Sequence, residues 1–268
     1  MKRVGRGFTI IELMIAMAIS AMMLTSAIVV FNNRKATTQF SQSMYDLQSK
    51  IQSYAGQVSS KALPGYQEYT CAASATTNRP ALTQVAASAN ETTGESCIYL
   101  GRAIQVIPGG DTIYAYPVFG FRTIHNGAVD TGEFPNSISQ ATPEPVLNSP
   151  LVDSYFILNG LTVVSAGLVG DTNEHDLLTI YSSLQNNNTS GNQVSVSAVQ
   201  KTFTAADINA DSLKACIEGS GCSLKSLNSG ATWQLCLTDG SAKQAQIRLK
   251  GTSTGISTKL NMDGCPAT

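Results

Sequence analysis

The chain has 268 residues, 43 % of them hydrophobic and only 13 % charged, which suits one globular domain of ordinary size or two small ones and excludes collagen-like or disordered chains. Ser and Thr together supply 55 residues, a balance common in secreted β-rich proteins and unusual in a cytosolic enzyme. Seventeen basic and eighteen acidic residues leave a net charge of −1, so the sum carries no sign of a polyanion-binding protein. The sum conceals a gradient: residues 1–60 carry six basic and two acidic groups, 61–200 four and eleven, and 201–268 seven and five.

The first element is an apolar run from Phe8 to Phe31 in which Glu12 is the single charge and neither Gly nor Pro occurs. As a helix its 24 residues reach about 36 Å, enough to cross a hydrocarbon core of about 30 Å. Lys2, Arg3 and Arg6 precede it, placing the amino terminus in the cytoplasm, with Arg34 and Lys35 following. A cleaved secretory signal would look similar. Against it stands Glu12, a carboxylate costing about 2.5–3.5 kcal/mol at a bilayer centre and so a mark of function. The helix pattern also continues: Phe40, Met44, Leu47, Ile51, Tyr54 and Val58 form one apolar stripe. With no Gly between Phe8 and Gly56 and no Pro before Pro64, the spacing predicts one helix from about Phe8 to about Ala62.

Arg6-Gly7-Phe8-Thr9-Ile10-Ile11-Glu12-Leu13 resembles the processing and assembly motif of type IV prepilins and type II secretion pseudopilins. The resemblance covers residues 1 to about 60. It implies a membrane prepilin peptidase cutting between Gly7 and Phe8, methylation of the new Phe8 amine, and a Glu12 carboxylate that neutralises the amine of a neighbouring subunit. Gly7 lets a peptidase draw a side-chain-free backbone into its site. In an apolar filament core each charge alone is expensive, whereas the pair is tolerable and fixes axial register. The implied fold class is α+β: a leader at 1–7, a transmembrane and assembly half-helix at 8–31, an amphipathic half-helix at 32–63, and a β-rich head at 64–268. One departure from many major pilins is Val29, where a helix-interrupting Pro is common. The 261 residues left after removal of residues 1–7 are long beside most major pilins and resemble larger minor pilins or pseudopilins.

Beyond Pro64 the signals change to short β runs between turns. Strands are expected at Cys97–Ile107, Thr112–Ile124, Ser154–Ser165, Leu177–Leu184, Val194–Phe203, Thr232–Leu237, Ala245–Leu249 and Ile256–Leu260, with Gly109-Gly110-Asp111 as a hairpin turn. Ser137–Pro150 and Gln185–Gly191 read as exposed loops. A short helix follows Thr204, whose spacing to Asp207 has capping-box form, with Ile208, Leu213 and Ala215 inside. Trp233 and Tyr181 read as core.

Six cysteines suggest three bridges in an oxidising compartment, among fifteen possible pairings. The expected ones are Cys71 with Cys97, Cys216 with Cys222 and Cys236 with Cys265, the last also resembling the carboxy-terminal loop of many pilins. A zinc site from the last four cysteines is the rival, but lacks a CxxC pair. No catalytic constellation stands out: Glu174-His175-Asp176 reads as a solvated turn, and no GxSxG occurs. No metal or cofactor is expected, and the protein reads as structural, not enzymatic.

Expected partners are the prepilin peptidase, other pilin-like subunits through the helix, and the inner assembly platform, first as a single-pass membrane protein and then in an extracytoplasmic filament. Lys243, Arg248, Lys250 and Lys259 raise DNA binding as an alternative, opposed by the acidic middle of the chain. An adhesive subunit or a membrane-tethered enzyme are the other rivals. Removal of residues 1–7 takes three basic groups, leaving 14 basic and 18 acidic and a balance of −4.

Overall fold

A computed structural model describes residues 9–63, 69–84, 96–127, 129–147, 150–184, 194–203, 211–217, 221–240, 243–252 and 255–265. The uninterrupted run of helix formers gives helix α1, Ile10–Ser59, 50 residues without a break. It ends in a Schellman turn: the Ala62 N–H donates to Gln57 O at 3.0 Å and the Lys61 N–H to Val58 O at 3.1 Å. Lys61 takes the left-handed position there, at φ 53°, where glycine is the usual occupant. The backbone divides into two units, Met1–Gln42 and Ser43–Thr268. All six residues of the apolar stripe are buried.

In the second unit the last part of α1, residues 43–59, lies on a β-rich head. Strands β1 (Tyr69–Ala73) and β2 (Pro80–Gln84) form a hairpin. The larger sheet contains β3 (Cys97–Gln105), β4 (Thr112–Phe121), β7 (Glu144–Pro145), β8 (Asp153–Phe156), β10 (Leu177–Ser182), β11 (Val194–Gln200) and β12 (Ser223–Ser226). Its order is β12-β11-β10-β3-β4-β7, with β8 also on β4. The smaller sheet has the order β15-β14-β13-β9, from β9 (Thr162–Leu168), β13 (Trp233–Thr238), β14 (Gln244–Thr252) and β15 (Gly255–Asn261). A separate hairpin pairs β5 (His125–Asn126) with β6 (Val129–Asp130). The short helix α2 spans Asp211–Ile217. The fold is α+β, as the sequence implies.

Several expectations need correction. Ser154–Ser165 is not one strand: β8 and β9 are separated by a 3-10 turn at Leu158–Gly160, because Asn159 sits at φ 59° and turns the chain out of extended geometry. Ser137–Pro150 is not wholly an exposed loop, since it holds β7 and the fully buried Ala141, whose carbonyl accepts the Phe121 N–H at 2.7 Å. Glu174-His175-Asp176 is solvated only at Glu174. His175 and Asp176 are buried between the sheets, where the His175 carbonyl accepts the Trp233 indole N–H at 2.8 Å. Gln185–Gly191 and the Thr204–Asp207 capping box lie outside the described residues.

Both sheets are fastened to α1. Lys50 pairs with Asp153 of β8 at 2.7 Å, and the Arg102 guanidinium of β3 lies 5.1 Å from the Tyr54 ring centre. Gln48 and Gln52 donate to the Thr258 hydroxyl of β15 at 2.9 and 2.6 Å. Asn228 then joins sheet to sheet: its carboxamide accepts the Val196 N–H at 2.8 Å and donates to Val194 O at 2.9 Å and Thr252 O at 3.1 Å. Gly251 leaves the room for it, since a β-carbon there would lie 2.8 Å from Asn228 Oδ1.

The structure joins Cys71 to Cys97, Cys216 to Cys222 and Cys236 to Cys265, with Cα separations of 5.8, 5.0 and 5.9 Å. These occupy all six thiols.

Candidate functional site

The site begins where α1 begins. Gly7 and Phe8 lie outside the described residues, and Glu12 falls in the first helical turn. There it closes a capping box with Thr9. The Thr9 N–H and hydroxyl donate to Glu12 Oε2 at 2.9 and 3.0 Å, and the Glu12 N–H donates back to Thr9 Oγ1 at 3.3 Å. A carboxylate at a helix amino end also faces the positive end of the helix dipole. Glu12 thus has a local role that the sequence reading, treating it as a charge in an apolar run, missed. The T-x-x-E spacing of Thr9 and Glu12 was the available signal.

From Ile10 to Phe31 the helix exposes its large apolar side chains, Ile10 at 79 % and Phe31 at 76 % among them. This segment of 22 residues reaches about 33 Å. Its hydroxyls need no outside partner. Ser20 donates to Ala16 O at 2.8 Å, while Thr25 and Ser26 both donate to Met22 O at 2.9 Å. The stem therefore presents hydrocarbon outward and keeps its polar groups within its own backbone, the condition for a helix in lipid or in an apolar bundle. It is long and apolar enough to cross a membrane.

In the head, His175 and Asp176 are buried ionisable groups away from the helix. Asp176 Oδ2 accepts the Phe203 N–H at 3.0 Å, and burial pushes the Asp176 carboxyl up to about 7, with nearby Glu174 adding to the shift. His175 turns Nδ1 to the Asn173 carbonyl at 2.9 Å. Pairs of this kind can serve proton transfer, yet here Asp176 Oδ2 and His175 Nδ1 hold neighbouring backbone, while Asp176 Oδ1 is buried without a hydrogen-bond partner among the described residues and His175 Nε2 faces the Asp171 carboxylate at 3.9 Å. Among the described residues no cluster of three or more His, Cys, Asp or Glu side chains is placed to hold a metal ion. A second ionic node fastens peripheral pieces: Glu144 of β7 accepts from Arg79 and from Lys214 of α2, both at 2.6 Å.

Residues 2–28 match the family model of the prokaryotic N-terminal methylation motif, the type IV prepilin-like signal. Set on a long apolar helix and a disulfide-bearing β-rich head, this signal supports a type IV pilin- or pseudopilin-like protein. The helix and signal fit membrane anchoring before assembly, together with contacts to a prepilin peptidase and to other pilin-like subunits. No curated protein and no solved structure matches the chain.

Proposed function

We propose that the protein is a structural subunit, a minor pilin or pseudopilin, of a type IV pilus or type II secretion-like filament. The carrying observation is the stem. An exposed apolar helix with its single carboxylate in the first turn is suited to hold the chain in the membrane and then to pack against copies of itself. In this reading the peptidase cuts between Gly7 and Phe8, the Phe8 amine is methylated, and Glu12 of one subunit pairs with the amine of its neighbour.

The capping box adds a constraint to that pairing. The carboxylate bonds Thr9 through Oε2, and an ionised carboxylate has about four lone-pair sites, so it can keep the cap while accepting an ammonium from a second chain. Cap and charge are separable by substitution. Glu12→Gln keeps an acceptor for the Thr9 N–H without the charge, and Glu12→Ala removes both. Both variants should be processed at Gly7 and both should lose filament assembly, read from the mass of the mature amino terminus and from sheared surface protein. Normal assembly of Glu12→Gln would overturn the charge pairing, and an unprocessed wild-type chain would overturn the whole reading.

A further inference from the structure

The two faces of the smaller sheet differ in kind. Ala245, Ile247 and Leu249 of β14 are buried on one face. The other face carries Gln246, Arg248 and Lys250, opposite Asn261, Lys259 and Ser257 of β15. Arg248 and Lys259 are thus direct cross-strand partners of like charge, an arrangement that costs a sheet stability. Nothing in the sheet offsets it, because its four strands contain no Asp or Glu. Among the described residues no carboxylate forms an ion pair with Arg248, Lys250 or Lys259. The Arg248 Nε–H donates instead to the Gln246 carboxamide at 3.0 Å, and Lys250 and Lys259 are exposed.

The same head carries the opposite character elsewhere. The β5–β6 hairpin and the turn after it expose Asp130 and Glu133, flanked by Val129 and Phe134, which are 67 % and 57 % exposed. The Gly132 N–H donates to Asp130 Oδ1 at 2.8 Å and, with Thr123, holds that carboxyl below the usual range. Arg122 is the nearby cation in the sequence, so the hairpin combines a modest acidic surplus with two uncovered apolar side chains. Large exposed apolar groups rimmed by polar ones mark contact surfaces.

We infer that the cationic face of β14 and β15 receives the Asp130–Glu133 hairpin of a neighbouring copy of this chain. The inference rests on the filament reading above. A free polyanion is the weaker occupant: processing leaves a chain of net −4 that would repel it, and the surplus acid lies within the chain itself. Because the two patches are different surfaces, the contact is heterologous, and a heterologous contact that does not close generates an open helical array. The head would then add a second, salt-sensitive repeat to that of the stem.

The test uses the full chain in producing cells, with sheared filament yield as the readout and total chain and protease resistance as folding controls. K250E/K259E and D130K/E133K should each cut yield about tenfold, and the four substitutions combined should restore most of it. Unchanged yield in either double variant overturns the contact, as does a combined variant no better than the doubles. Duplex DNA retained by the wild type and lost by K250E/K259E at normal yield assigns the face to nucleic acid and also overturns it. A wild-type chain that makes no filament overturns the filament reading and this inference with it, whereas filaments indifferent to charge reversal overturn this inference alone.

Discussion

Stem and head solve the problem of burial in opposite ways. From Ile10 to Phe31 the chain turns its large apolar side chains outward and closes its hydroxyls onto its own carbonyls. The head sends Trp233, Phe119 and Phe121 inward and leaves most of its Ser, Thr, Asn and charge outside, with Arg102 and Asp176 among the exceptions. What stabilises the stem is thus its surroundings, lipid or other helices, whereas the head is stabilised by its own packing and three disulfides. A substitution should therefore act on one region and spare the other.

Gly101 gives the largest expected effect. It sits at the β3 bulge, and a β-carbon there would collide with the Ile180 carbonyl of β10, which is backbone and cannot swing aside. Gly101→Ala should cost the head about 4 kcal/mol in denaturant unfolding while leaving membrane insertion of the stem unchanged. The converse is Ile19→Arg, which should cost insertion about 3 kcal/mol, read by carbonate extraction, with head unfolding unmoved. If either variant damaged both regions, the separation of stem from head would fail.

Asp176 gives a smaller effect with a definite sign. Its carboxyl titrates near 7 when folded against an ordinary value of 3.8, so the folded head favours the protonated form. Stability from this group is full below about pH 4 and is lost as pH rises toward about 7. Asp176→Asn should flatten that decline in thermal melts taken across the range, and an unchanged slope would rule out Asp176 as its source. The smallest effect belongs to Lys61. Lys61→Gly, at a left-handed position, should stabilise the end of α1 by about 0.5–1 kcal/mol, visible as slower amide exchange in its last turn.

What was legible in the sequence follows from range. The stripe from Phe40 to Val58 is a local 3.6-residue pattern, and the helix and its buried face follow from it directly. The long strands Cys97–Gln105 and Thr112–Phe121 carry dense apolar runs and were equally plain. The hairpin of β1 and β2 escaped because its residues, Ala, Thr, Pro and Gln among them, carry no alternating apolar pattern. The two-residue strands β5, β6 and β7 are too short to show one, and the polar β12 is a strand through its distant partner β11. The merged strand at Ser154–Ser165 failed on a single residue, Asn159, whose left-handed backbone no alternation pattern reveals. Burial of His175 and Asp176 depends on Trp233 and Phe203, residues 58 and 27 positions away, and three adjacent polar letters read otherwise as a turn. At the stem Glu12's bond to Thr9 was legible as a T-x-x-E spacing, overshadowed by the reading of Glu12 as a lone charge in an apolar run.

In the proposed filament a subunit carries load, and there Asn228 takes on a mechanical meaning. Its three hydrogen bonds make one side chain the splice between β11 and β14, while Lys50, Gln48 and Gln52 tie both sheets to one helix. Tension entering along α1 is therefore shared between two sheets in parallel instead of peeling one from the other.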